Sequence, residues 1–274
     1  MTTIDMNASR RPAVAGLFYP GERKVLEQTI ASLLAAAGTQ AATPAPKALI
    51  APHAGYIYSG PIAASAYALI APLQGRVKRV VLLGPAHRVA VRGLALPGCA
   101  WFETPLGAVE VDQEAAALLG DLPQVTTSLS AHAQEHSLEV HLPFLQMLLG
   151  RFALVPLAVG HAAPSDVAGV LERLWGGDET LIVVSSDLSH YLDYGEAQRI
   201  DRATAQAIVE LRTDIDHECA CGATAVTGLA LAAQRRGLRA SLVDLRNSGD
   251  TAGDKSRVVG YGAFAFYERI ANAH

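Results

Sequence analysis

Apolar residues first recur at helical spacing over residues 21–37, where Val25, Leu26, Ile30, Leu33 and Leu34 fall on one face and Gly38 closes the run. Beyond residues 39–46, a linker rich in Ala, Thr and Pro, the pattern changes. Short apolar runs of β type at 47–51, 78–83, 152–159, 180–185, 240–245 and 258–266 alternate with helical patterns at 62–70, 113–119, 138–149, 165–174, 196–211 and 223–235. Strands alternating with helices predict an α/β fold, with a mainly parallel or mixed central sheet flanked by helices. Residues 93–96 and 108–111 predict an added hairpin, joined through 101–107. Residues 1–10 read as a loose N-terminal tail, and no repeat or composition break divides 1–274 into more than one domain.

Composition narrows the setting. Half of the 274 residues are hydrophobic and 18% charged, enough apolar content for a large buried core. The 22 Lys+Arg against 26 Asp+Glu leave a net charge of -4, with no basic surplus to suggest a nucleic-acid partner. No apolar run is long enough to span a membrane, and the polar start of the chain lacks the apolar core of a secretory signal. Three cysteines, two of them as Cys219-Ala-Cys221, argue against a disulfide scaffold and for a reducing, cytoplasmic setting.

The candidate chemistry lies where the β-type runs end. His53 follows the first in the PHAGY run at 52–56, His87 the second in LGPAH at 83–87, and His190 lies in SSDLSH at 185–190. His161 follows 152–159 but has no polar neighbours, so a structural role suits it better. Ligands of open parallel sheets bind outside the carboxyl ends of the strands, so these histidines are expected to meet at one crevice. The competing reading makes each a loop residue bonded to backbone. Two imidazoles suit Zn, Cu, Fe or Ni, with Asp187, His190, a glutamate or a cysteine as a third ligand. Cys221 precedes Gly222 and a helical stretch, where a thiolate is favoured; Cys219 is the alternative.

The run His132-Ala-Gln-Glu135-His136 matches the H-x-x-E-H pattern of inverted zinc peptidases. That chemistry needs both histidines on one helical face, whereas Ser137 reads as the N-cap of a helix over 138–149, which puts His132 and His136 in the loop before it. Glu135, His136, Glu139 and His141 are then expected either to support the crevice from behind its ligands or to form a solvated helix start. There is no G-x-S-x-G elbow, Walker loop or G-x-G-x-x-G after a strand.

Taken together, RPAVAG at 11–16 with FYP at 18–20, PHAGY, LGPAH, EHSLEVHLP at 135–143, SSDLSH, Cys221-Gly222 and VVGY at 258–261 resemble the Memo family, also called AmmeMemoRadiSam system protein B. The resemblance spans nearly the whole chain. It implies a fold similar to the class III extradiol dioxygenases of the LigB type. It also implies metal ligands at His53, His87 and Cys221, Asp187 and His190 beside them, and radical-SAM and other AmmeMemoRadiSam system partners. A cysteine where those dioxygenases use a glutamate departs from them and puts ring cleavage in doubt.

Three functions follow as expectations. The first is a mononuclear oxidoreductase holding Fe(II) foremost, or Cu, with His190 as general acid/base oriented by Asp187. The second is a module that binds a small-molecule, anionic or peptide ligand in the same crevice. The third is a zinc-dependent hydrolase.

Overall fold

The computed structural model describes residues 5–38 and 45–268. Five strands form a parallel core: β2 (Ala48–Ala51), β3 (Arg79–Pro85), β6 (Gly107–Val111), β8 (Ala153–Val159) and β9 (Thr180–Ser185), in the order β6-β8-β3-β9-β2. Around them run β1 (Asp5–Arg10), β4 (Leu94–Leu96), β5 (Cys99–Thr104), β7 (Val125–Thr127), β10 (His190–Leu192), β11 (Arg239–Asn247) and β12 (Val258–Tyr267), making a mixed twelve-stranded sheet. The helices are α1 (Arg23–Ala37), α2 (Tyr56–Ala68), α3 (Gln113–Ala117), α4 (Leu129–Ala133), α5 (Leu142–Leu149), α6 (Pro164–Leu174), α7 (Tyr194–Val209) and α8 (Ala223–Arg236).

The core strands are apolar without a break because both faces of the sheet are covered. Leu49, Val80, Leu82, Leu154, Leu181 and Val183 pack on one face with Leu26 and Ile30 of α1 and with α2 and α5. Their alternating neighbours Ile50, Val81, Leu83, Val155, Ile182 and Val184 pack on the other face with α6 and α8. The result is a single-domain α/β sandwich with the sheet in the middle.

Several expectations change. Residues 5–10 are not a loose tail: β1 pairs in parallel with β5, with Arg10 opposite Phe102. Helix α2 begins at Tyr56 rather than 62, because Gly60 and Pro61 disguise a helical start capped from outside by the Phe18 carbonyl, which accepts from Tyr56 N–H at 2.7 Å. The hairpin forms between β5 and β6, while residues 94–96 pair instead with β7 and β8. Ser137 caps nothing; its hydroxyl donates to the Pro85 carbonyl at 2.8 Å, and a 3-10 turn over Glu139–His141 precedes α5. His132 therefore lies on the short helix α4 and His136 beyond it, so the peptidase geometry is not formed. Most of the linker, 39–44, lies outside the described residues.

Candidate metal centre

The three strand ends that matter are adjacent, in the order β3-β9-β2, with Ala51 opposite Ser185 and Leu83 opposite Val184. Each strand is followed two residues later by a polar group: His53 after Ala51, His87 after Pro85 and Asp187 after Ser185. In-register parallel strands thus deliver three side chains to one crevice, as the switch-point rule expects. His161 stands two residues past β8 as well, but it is exposed, does not line the crevice, and its backbone bridges that of Arg92.

The histidine tautomers follow from the partners. The single hydroxyl proton of Ser185 goes to the Ser137 carbonyl at 2.6 Å, so its oxygen accepts from His53 Nδ1–H, also at 2.6 Å. His53 Nε2 is left with a lone pair facing the crevice, 3.4 Å from Cys221 Sγ and 3.9 Å from Asp187 Oδ2. Glu135 does the same for His87: one carboxylate oxygen accepts from His87 Nδ1–H at 2.9 Å and the other from His87 backbone N–H at 2.5 Å. Orienting an imidazole through its far nitrogen is how proteins present histidine to a metal.

His136 completes the cluster. Its ring stacks on His87 with centroids 4.9 Å apart and meets His53 edge-on at 5.5 Å. Donor atoms of His53, His87 and His136 all lie within 4.8 Å of one another, a spacing that could hold one ion. Cys221 approaches from the other side, held by a reciprocal pair: its N–H donates to the Asp187 carbonyl at 3.2 Å, and Asp187 N–H donates to its sulfur at 3.3 Å. Gly222 permits this approach, since a Cβ there would come within 2.5 Å of the Ser185 carbonyl.

Burial favours the neutral form of His53 and His136. Burial holds His53 well below the usual histidine range and lowers His136 as well. The thiolate expected at Cys221 is not favoured by the fold alone: burial pushes the thiol up to about 12, with the Asp187 charge adding to the shift, and burial raises Asp187 itself. Burial acts to raise Glu135 too, but the hydrogen bonds from His87 and Ser137 outweigh it and bring it down to about 2. An imidazole pair anchored through its Nδ1 atoms, beside a thiol, is a donor set that fits a transition metal.

His190 lines the crevice, but Asp187 does not orient it by a hydrogen bond; Asp187 Oδ1 accepts instead from His53 N–H at 2.8 Å. Cys219 also lines the cavity, with its N–H on Asp216 at 3.0 Å. Glu139 and His141 face elsewhere. Glu139 binds Arg10, Tyr19 and the N–H groups of Ala13 and Val14, while His141 Nδ1 meets the Tyr67 hydroxyl at 2.7 Å. Sequence reasoning passed over Ser185, although its place directly before Ser186-Asp187 at a strand end was a usable signal. It also passed over Phe18, whose ring packs edge-on against His136 at 5.0 Å.

This chain belongs to the Memo family: the family model "Memo-like protein" matches residues 10–265. More particularly, it is similar to a MEMO1 family protein of Aquifex aeolicus, 38% identical over 92% of this chain and 97% of that one. Similar relatives occur in Methanopyrus kandleri, 37% identical over 94% of this chain and 98% of the relative, and in Nitrosopumilus maritimus, 34% identical over 94% and 99%. Among solved structures, an uncharacterized protein from Escherichia coli K12 shares the fold, with a TM-score of 0.50 and 15% identity over 78% of this chain and 98% of that one. No helix among the described residues is long and apolar enough to cross a membrane.

Proposed function

We propose that the crevice is a mononuclear metal centre of an oxidoreductase, with His53, His87 and Cys221 as ligands and Fe(II) as the metal it takes foremost. The observation that carries the reading is the pair of fixed tautomers, each leaving an Nε2 lone pair free, in a cluster whose ligand atoms lie within 4.8 Å of one another. Cys221 is favoured as the third ligand because its sulfur lies 3.4 Å from His53 Nε2; a thiolate draws charge toward the metal that a third imidazole would not. His136 then stands beside the ligands as a neutral group that can bind substrate or replace the thiol.

Bound iron or copper would supply one-electron redox chemistry, while zinc would supply Lewis acidity. Within the chain, His53 and His87 hold and orient, Cys221 gives up its thiol proton on binding, and Phe18 shields the His136 side from water. His190, half-buried on the cavity wall and without a hydrogen bond to Asp187, is placed to take up or release a proton from a bound molecule. The radical-SAM and other system partners implied by the family resemblance belong to this proposal as providers or acceptors of electrons.

The test is oxygen consumption by full-length chain reconstituted separately with Fe(II), Cu and Zn, alongside the His190→Gln variant. Turnover with a redox metal that His190→Gln loses while keeping its metal supports the reading. Metal retention with no oxygen uptake favours a binding module, and zinc as the metal carried by the purified chain favours hydrolysis.

A further inference from the structure

The crevice opens into a cavity of about 1290 Å³, large for a small-molecule site. Its floor is polar, and its rim carries exposed apolar side chains among the charged ones. Leu17, Ile57, Tyr58 and Tyr191 are 79%, 63%, 38% and 62% exposed, and all four line this cavity. Apolar side chains left in water around one opening mark a binding surface.

Tyr191 is the unusual member. It has φ 62°, a left-handed backbone that an aromatic residue rarely adopts. The conformation is imposed from both sides: His190 pairs with Val259 and Leu192 with Val258, and the register shifts between them. The strain sends the ring outward into the mouth, directly beside His190, and strained residues held this way gather at ligand clamps. The Arg257 guanidinium stacks over the ring, with Cζ 4.7 Å from its centroid. Among the described residues Arg257 has no hydrogen bond or ion pair, whereas Arg173, Arg212, Arg235 and Arg246 each hold a carboxylate. A guanidinium stacked on a ring keeps its in-plane N–H edge free for an anion.

We propose that Tyr191 and Arg257 form a recognition element for the crevice, selecting a ligand with a flat apolar body and a single carboxylate. The body lies against Tyr191 and Tyr58, the carboxylate meets the Arg257 edge, and the opposite end reaches the floor at His53 and His87. The inference rests on the metal-centre reading only for that floor end. A singly charged group is favoured over a dianion because Glu196, Glu218 and Asp254 line the same cavity. Asp254 is turned toward Ser256 N–H, leaving the arginine edge unopposed.

The experiment uses the full chain, zinc-loaded and chelator-treated, with 2-naphthoate and its neutral counterpart 2-naphthamide titrated by calorimetry. Naphthoate is expected to bind about tenfold more tightly than naphthamide in both preparations, in keeping with a charge-assisted contact. Arg257→Met should remove that preference and leave naphthamide binding within about twofold, while Tyr191→Gly, checked for fold by circular dichroism, weakens both probes about fivefold. Equal binding of the two probes, no naphthoate binding, a preference that survives Arg257→Met, or unchanged binding to Tyr191→Gly overturns the proposal. A preference seen only with zinc puts the carboxylate on the metal, overturning the proposal while upholding the metal reading. An Arg257-dependent preference in a chain that fails to take up zinc when it is supplied supports the proposal and removes that reading.

Discussion

Glu135 and Glu139 lie four residues apart, with side chains 1% and 0% exposed, yet they belong to different regions of the molecule. Glu139 is ringed by fixed donors: Arg10, the Tyr19 hydroxyl and two backbone N–H groups. It clasps the segment from Arg10 to Tyr19 onto the domain and has no contact with the crevice. Glu135 spends its oxygens on His87 and Ser137 N–H and lies 3.4 Å from His136. Arg10 links the two regions, because its guanidinium also donates to the His132 and Glu135 carbonyls at 3.0 and 2.6 Å. A buried carboxylate saturated by the fold secures structure; one shared with crevice imidazoles orients chemistry.

The largest effect of a single substitution should come from breaking the clasp. Arg10→Met leaves Glu139 buried without its cation, and about 3–5 kcal/mol of stability should be lost in urea unfolding. A loss below about 1 kcal/mol would erase the contrast between the regions. Acid should come next. Burial lowers His132 to about 4 and His141 to about 3, so between pH 6.5 and 4 the unfolded chain binds protons that the fold refuses. Stability therefore falls as pH falls through that window, by about 1.4 kcal/mol per pH unit for each histidine. The adverse contribution of Glu135 begins lower, as pH drops from its ordinary range toward about 2. Melting temperatures across pH 4–7 check the sign, and a flat profile would contradict it.

Glu135→Gln should act on binding more than on folding. Metal affinity is expected to drop about 10–100-fold through loss of the His87 anchor, with a smaller stability cost than Arg10→Met. Equal affinity in competition with a chelator would place Glu135 with Glu139 as a purely structural group. The smallest effect is expected for Tyr67→Phe, which takes the hydroxyl from His141 Nδ1 and should cost about 1 kcal/mol without changing metal content.

The apolar runs made the parallel core legible because both sheet faces are buried, and β9 fell where its run predicts. The positions of His53, His87 and Asp187 past their strands were legible for the same reason. Side-chain direction was not. The missing polar neighbours had already set His161 apart, and its backbone bridges Arg92 outside the crevice, but nothing local showed that Glu139 faces Arg10. That outcome depends on a partner about 130 residues away in sequence, which local pattern cannot supply. The strand over Asp5–Arg10 was hidden likewise, since its polar sequence is ordered by β5 and by the Glu139 clasp.

The proposed metal centre has two tautomer-fixed imidazoles and a thiol holding one metal ion. It is tested most directly by cobalt substitution followed by absorption spectroscopy on wild type, His53→Ala, His87→Ala and Cys221→Ser. The account predicts one cobalt per chain in wild type, with a sulfur-to-cobalt charge-transfer band. Cys221→Ser should lose that band, and each histidine variant should lose the metal while remaining folded. Full cobalt retained by both histidine variants, or an unchanged sulfur band in Cys221→Ser, would contradict it.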